Sequence, residues 1–254
     1  MRAAFFDLDK TVIAKSSLVA FGPEFHARGL LHRRTLIWGV LSQTIFMRFG
    51  ADEEKLEKIR ESVLQITKGW DHLEVKKLVA ETINEVIEPL IFEEALELID
   101  HHMAQGDEVW LVSASPAEIV EPFAELLGVT GAISSRAKID ELGKFTGEME
   151  FFAQGENKAI AIRELAQKRD IDLNESFAYS DSETDIPMLE SVGHAYAVNA
   201  DRQLAKAAHE SQWPILNFKH LVRAHARTRS TVPYLLSALL IGVAAVLGRT
   251  YQRR

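Results

Sequence analysis

Three stretches of this sequence place carboxylates and hydroxyls where a buried apolar run stops. Asp7-Leu8-Asp9-Lys10-Thr11 closes the run that begins at Ala3, Ser113-Ala114-Ser115 follows Glu108 to Val112, and Ser180-Asp181-Ser182-Glu183-Thr184-Asp185 follows Ser176 to Tyr179. Short apolar runs bounded by polar residues read as strands buried on both faces. In a parallel sheet, ligands bind beyond the carboxyl ends of the strands. With Lys158 on an intervening helix, the carboxylates of Asp7, Asp9, Asp181 and Asp185, a hydroxyl and one ammonium would converge on one crevice. Such a group of acids repels itself unless a cation stands within it. Hard oxygen donors select magnesium over a softer metal. The metal and Lys158 would offset phosphate charge, and the N–H groups of a helix starting at Ser115 would add an anion-binding end.

The elements that must position these groups follow from local pattern. Strands are expected at Ala3 to Leu8, Glu108 to Val112, Ala132 to Ser135, Ser176 to Tyr179, His194 to Val198 and Trp213 to Leu216, with a hairpin over 137 to 150 around Gly143. Helices are expected from Pro89 to Gly106, from a capping box at Ser115-Pro116-Ala117-Glu118 to Gly128, over Asn157 to Lys168, and over Ile186 to Ser191. Asn199 reads as a turn former. His101 and His102 lie on a helix away from the strand ends and read as surface residues.

Alternation of strands and helices gives an α/β fold, a Rossmann-like parallel sheet with right-handed crossovers. The largely helical stretch between the first two strands is far too long for a crossover and reads as an inserted helical cap. The expected organisation is a core of residues 1–13 and 86–216, a cap of 14–85, a basic linker of 217–231 and a transmembrane helix over 232–248. Trp38, Phe46 and Phe49 read as cap core, or Leu36 to Phe49 as a greasy substrate entrance.

Charge is distributed unevenly. The 254 residues carry a net charge of −8. Positions 217 to 254 hold seven of the 29 basic residues and no acid, leaving 22 basic against 37 acidic residues and a net of −15 in positions 1 to 216. An acidic body argues against nucleic acid as a partner. Residues 232–248, VPYLLSALLIGVAAVLG, are uncharged over 17 positions, the short end of a spanning helix. Arginines flank it, with Tyr234 and Tyr251 at interfacial positions. Lys219, Arg223, Arg227 and Arg229 precede it against three arginines after it, so the positive-inside bias favours a cytoplasmic catalytic domain on a single-pass C-terminal anchor in the cell membrane. The chain has no cysteine, which excludes disulfides and thiolate metal sites.

The ordered set Asp7-x-Asp9-x-Thr11, Ser113 after a buried strand, Lys158, and Asp181 with Asp185 resembles the four motifs of haloacid dehalogenase phosphatases over about residues 1–216. The helical insert between the first two motifs is similar to the branch containing phosphoserine phosphatases. The stretch Tyr179 to Leu189, followed by Ala197-Val198-Asn199, resembles small bacterial hydrolases of that branch. The resemblance implies that Asp7 attacks phosphorus, that Asp9 is the acid/base, and that Thr11 positions the Asp9 segment. It implies that Ser113 and the Ala114 N–H bind phosphoryl oxygens and that Lys158 neutralises charge. It further implies that Asp7, Asp181 and the Asp9 carbonyl bind Mg2+, while Asp185 holds a water of the metal or orients Lys158. Thr184 departs from the asparagine of many relatives. The implied function is hydrolysis of a phosphomonoester, a small one or, given the expected anchor, a lipid-like one. Phosphoserine hydrolysis, transfer to an acceptor other than water, and a non-catalytic phosphate-binding or scaffold role stand as alternatives.

Overall fold

The computed structural model describes residues 1–31 and 61–222. The aromatic stretch Leu36 to Phe49 and the apolar stretch 232–248 lie outside the described residues. Among the described residues no helix is long and apolar enough to cross a membrane.

Among the described residues seven strands form one sheet: β1 (Ala3–Phe6), β2 (Glu108–Pro116), β3 (Gly131–Ile139), β4 (Phe145–Phe151), β5 (Phe177–Ser180), β6 (His194–Val198) and β7 (Ile215–Leu216), in the order β4-β3-β2-β1-β5-β6-β7. Only β4 runs antiparallel to its neighbour. The chain builds outward from β1 first through β2 and β3, then on the other side through β5, β6 and β7. The order therefore reverses beside β1, which is where an open parallel sheet leaves a crevice. All four residues of β1 are buried, as a central strand covered on both faces requires.

The described helices are α1 (Ser17–Ala20), α2 (Gly22–Ala27), α3 (His72–Ile87), α4 (Glu93–Ala104), α5 (Ala117–Leu127), α6 (Glu156–Arg169), α7 (Ile186–Glu190) and α8 (Arg202–Glu210), with residues 61–67 also helical. Two local expectations fail. Pro89 sits inside a single 3₁₀ turn, Glu88–Leu90, and α4 starts only at Glu93. The capping box at Ser115 does not form. β2 extends through Pro116, which is the N-cap residue of α5 and gives no side-chain cap, and the Ser115 hydroxyl is used elsewhere.

The excursion between β1 and β2 leaves and returns through paired backbone. Ile13 bridges antiparallel to Ile91, and Phe92 bridges antiparallel to Leu221. Glu94 accepts the N–H groups of Lys219 and His220, while Asn199 Oδ1 accepts the Phe218 N–H at 2.9 Å. Asn199 has φ 47°, the left-handed turn conformation that asparagine tolerates. Between the excursion and the core, α3 packs on α5, with Lys76 Nζ 2.6 Å from Glu121 Oε2.

His102 is buried, contrary to its expected place on the surface. It follows Ala95 and Ile99 on the inward face of α4. Its Nδ1 lies 2.9 Å from Asp107 Oδ2 and its Nε2 2.8 Å from the Tyr179 hydroxyl.

Candidate active site

The carboxyl end of β1 is turned back on itself. The N–H groups of Val12 and Ile13 both donate to the Leu8 carbonyl, and Lys10 takes φ 68° to allow it. A non-glycine residue in that region is uncommon and marks a turn under constraint. The turn sets the Asp7 and Asp9 side chains apart although they are two residues from each other.

Asp7 faces Lys158. The ammonium lies 2.7 Å from Asp7 Oδ1 and 2.7 Å from Asp185 Oδ2, and Lys158 itself is 2% exposed. Lys158 comes from the first turn of α6, entered through Gly155 at φ 57° and ψ −132°, a conformation open essentially only to glycine. Ser180 Oγ, at the end of β5, donates to the same Asp185 oxygen at 2.7 Å. Burial drives the Asp7 carboxyl up to about 7; Lys158 opposes that, and the charge of Asp185 adds to it. The two carboxylates hold Lys158 well above its ordinary value, so it remains an ammonium ion.

Asp9 faces the other way. Its Oδ1 accepts the Ser17 N–H at 2.8 Å and its Oδ2 accepts the Ser115 hydroxyl at 3.0 Å. Burial raises Asp9, and hydrogen bonds from Ser17 and Ser115 pull it down. Ser115 can reach it because the β2–β3 pairing slips between Ser113 and Pro116. Bulges of this kind re-aim side chains beside functional sites. Ser113 is buried and its Oγ accepts the Ser115 N–H at 3.1 Å. The Ala114 carbonyl is held by the Ser135 hydroxyl at 2.7 Å.

Asp181 is driven up to about 8, first by burial and then by the charge of Asp7, with Lys10 opposing. Lys10 Nζ stands 4.0 Å from Asp181 Oδ2. The loop bearing Asp181 is fixed by Asp201, whose N–H donates to the Asp181 carbonyl and whose Oδ2 accepts the Glu183 N–H. Among the described residues no three acidic or imidazole side chains gather closely enough to hold a metal by themselves. Asp9 and Asp185 have hydroxyl partners and Lys158 meets Asp7 at Oδ1, so Asp7 and Asp181 remain as mutually repelling buried carboxylates. That donor set suits Mg2+, which keeps several waters and takes one or two carboxylates together with substrate phosphate.

Residues 4–190 match the haloacid dehalogenase-like hydrolase family. The chain belongs to that family. A Streptomyces azureus protein named for inhibition of morphological differentiation is 45% identical over 96% of this chain and 89% of its own length. Two Mycobacterium tuberculosis proteins, named a probable phosphatase and a phosphoserine phosphatase, are 46% and 35% identical, over 96% and 95% of this chain and 83% and 77% of theirs. A solved Bordetella pertussis structure of unknown function shares the fold, with a TM-score of 0.72 at 24% identity, over 85% of this chain and 97% of that one.

In this hydrolase the structure brings Asp7, Asp9, Ser113, Lys158, Asp181 and Asp185 to one end of the sheet around β1. Thr11 is fully buried behind them, and its hydroxyl has no hydrogen-bond partner among the described residues. Sequence reasoning missed Ser17 as a site residue and misassigned Ser115. Nothing in the run Lys15-Ser16-Ser17 distinguishes Ser17, because its role arises from tertiary contact alone.

Proposed function

We propose that this hydrolase is a magnesium-dependent phosphomonoesterase working through an aspartyl-phosphate on Asp7. The observation that carries the proposal is the opposite treatment of two neighbouring carboxylates. Asp7 is paired with a buried ammonium, as a nucleophile approaching an anionic phosphate requires, while Asp9 is held by neutral donors and can exchange a proton. Asp7 Oδ attacks phosphorus as the ester P–O bond breaks, and Asp9 gives its proton to the departing oxygen. Water then attacks the phosphorus, Asp9 takes up its proton, and phosphate leaves with Asp7 restored. Ser113 and the Ala114 N–H bind phosphoryl oxygens, Lys158 offsets their charge, and Asp185 orients Lys158. Thr11 supports the turn that carries Asp9. Asp7 and Asp181, with the Asp9 carbonyl, would hold Mg2+, which neutralises phosphoryl charge when bound. The insert read from the sequence at 14–85 would act as the cap that sets specificity.

The substrate class is a small or lipid-like phosphate ester. Phosphoserine is the nearest alternative, since a relative bears that name. Against it, Ser16 stands where phosphoserine phosphatases carry an ammonium-binding glutamate nine residues after the nucleophile, and Lys15 beside it repels an ammonium group. Lipid-like esters are favoured by the uncharged stretch 232–248, read as an anchor that would raise the effective concentration of anything held in the same membrane.

The test is phosphate release from a panel of phosphomonoesters that includes phosphoserine and lysophosphatidate. Asp7→Asn or chelation lowers turnover by at least ~100-fold if the nucleophile and metal act as proposed. Full activity in Asp7→Asn rejects the mechanism. A kcat/KM for phosphoserine more than ~100-fold above simple esters rejects the specificity reading. Truncation after Val222, which keeps the packed segment 217–221, should free the protein from membranes without loss of turnover on a small ester.

A further inference from the structure

Ser17 is the first residue of α1 and is 1% exposed. Its N–H reaches Asp9 Oδ1, its hydroxyl donates to Ser115 Oγ at 2.9 Å, and Ser115 donates onward to Asp9 Oδ2. Both oxygens of one carboxylate are thus fixed from two chain segments, the bulged end of β2 and the segment running out from β1. One fixed oxygen would leave the carboxyl group free to turn about its Cβ–Cγ bond, a broad, soft torsion. Two fixed oxygens remove that freedom. A general acid must present its proton within hydrogen-bond reach of the departing oxygen, and a misplacement of about 1 Å costs on the order of 100-fold in rate.

We propose that Ser17, relayed through Ser115, is a positioning residue for the acid/base step. It sets the plane of the Asp9 carboxyl group and couples proton delivery to the seating of the segment that leads out of β1. The inference rests on the reading of Asp9 as acid/base.

The backbone allows a direct dissection. Ser16 has φ −66° and ψ 127°, the extended conformation a residue before proline must adopt, and the first position of a helix accepts proline. Ser17→Pro therefore removes both the N–H and the hydroxyl, Ser17→Ala and Ser115→Ala remove one hydroxyl each, and Ser17→Thr restores the hydroxyl. Each variant is assayed for kcat/KM on 4-nitrophenyl phosphate, whose phenolate departs without help, and on glycerol phosphate, whose alkoxide needs a proton. This ratio reports steps through formation of the phosphoenzyme only. The expected result is a loss on glycerol phosphate at least about tenfold greater than on 4-nitrophenyl phosphate for Ser17→Pro. Smaller differences of the same sign are expected for the alanine variants, with recovery in Ser17→Thr. A merely structural role lowers both esters equally, and that outcome overturns the inference. If Ser17→Pro fails to fold, alanine variants that each lose equally on the two esters overturn it just as well. If the unmodified protein hydrolyses neither ester, the phosphatase reading fails first, and if Asp9→Asn retains full activity on glycerol phosphate, the acid/base reading of Asp9 fails; either result takes this inference with it.

Discussion

Asp7 and Asp9 leave the same turn of chain, yet Asp7 is bound by an ammonium ion at 2.7 Å while Asp9 is bound by a backbone N–H and a hydroxyl. The difference is one of charge against dipole. A buried cation beside a carboxylate favours its ionised form against the burial that drives Asp7 up to about 7, which suits a group that must attack as an anion. Neutral donors favour that form more weakly, which suits a group that must gain and lose a proton in each cycle. One fold end thus gives two identical side chains separate chemical characters through the partners each meets.

Removing the cation should produce the largest change. Lys158→Met keeps the volume and leaves Asp7 and Asp185 as uncompensated buried charges. Breaking a buried pair in this way costs about 3–5 kcal/mol of stability. Urea denaturation should show that loss, together with at least ~100-fold lower turnover. Unchanged stability would mean that the Lys158 ammonium does not offset the burial of Asp7, and the contrast with Asp9 would collapse.

Asp9→Asn probes the other side of the contrast. The amide oxygen can still accept the Ser17 N–H, and the amide N–H₂ can donate to Ser115 Oγ, but the Ser115 hydroxyl must then turn to Ser17 and one hydroxyl proton of the pair loses its acceptor. Stability should fall by about 1 kcal/mol, the cost of one unsatisfied hydroxyl and well short of the loss in Lys158→Met. Turnover of an alkyl phosphate should still fall ~100-fold or more because the proton is gone. A substitution that costs far more in catalysis than in folding is the signature of a group held for its proton. A stability loss matching that of Lys158→Met would show that the two carboxylates are held alike.

Much of this was legible in the sequence, because strand-end chemistry has a local signature. An apolar run that stops at Asp-x-Asp or Ser-Asp announces both a strand and what stands at its end, and the parallel order puts those ends together. What escaped was set by contacts between distant segments. Ser115 matched a capping box through its neighbours Pro116 and Glu118, but the bulge in β2 turned its hydroxyl to Asp9. Ser17 is 98 residues from Ser115. His102 could have been read correctly, since Ala95, Ile99 and His102 follow the i, i+4, i+7 spacing of a helix face turned inward.

His102 supplies the smallest and most selective test, because it belongs to a second buried polar network that touches none of the reacting groups. Tyr179 and Ser180 are adjacent on β5, so their side chains take opposite faces of the sheet. Ser180 joins Asp185 and Lys158, whereas Tyr179 joins His102 and, through it, Asp107 and Arg2. Burial holds His102 below its ordinary value, with the hydrogen bond and charge of Asp107 pulling upward. An unfolded histidine titrates near about 6.5. Below that pH the unfolded chain binds a proton that the folded chain resists, so stability falls as pH drops. Well above it neither state is charged and the contribution is constant. His102→Gln removes that titration while leaving a group able to bond one of its two partners. It should cost about 1–3 kcal/mol at pH 8, for the partner left unpaired. Its unfolding free energy should decline less steeply than that of the unmodified protein between about pH 7 and 5.5. Phosphatase kcat/KM should remain within about twofold, since no reacting group loses a contact. Equal pH slopes in the two proteins would show that His102 is not kept neutral by the fold. A large loss of turnover at unchanged stability would place this network inside the catalytic machinery and erase the division between the two faces of β5.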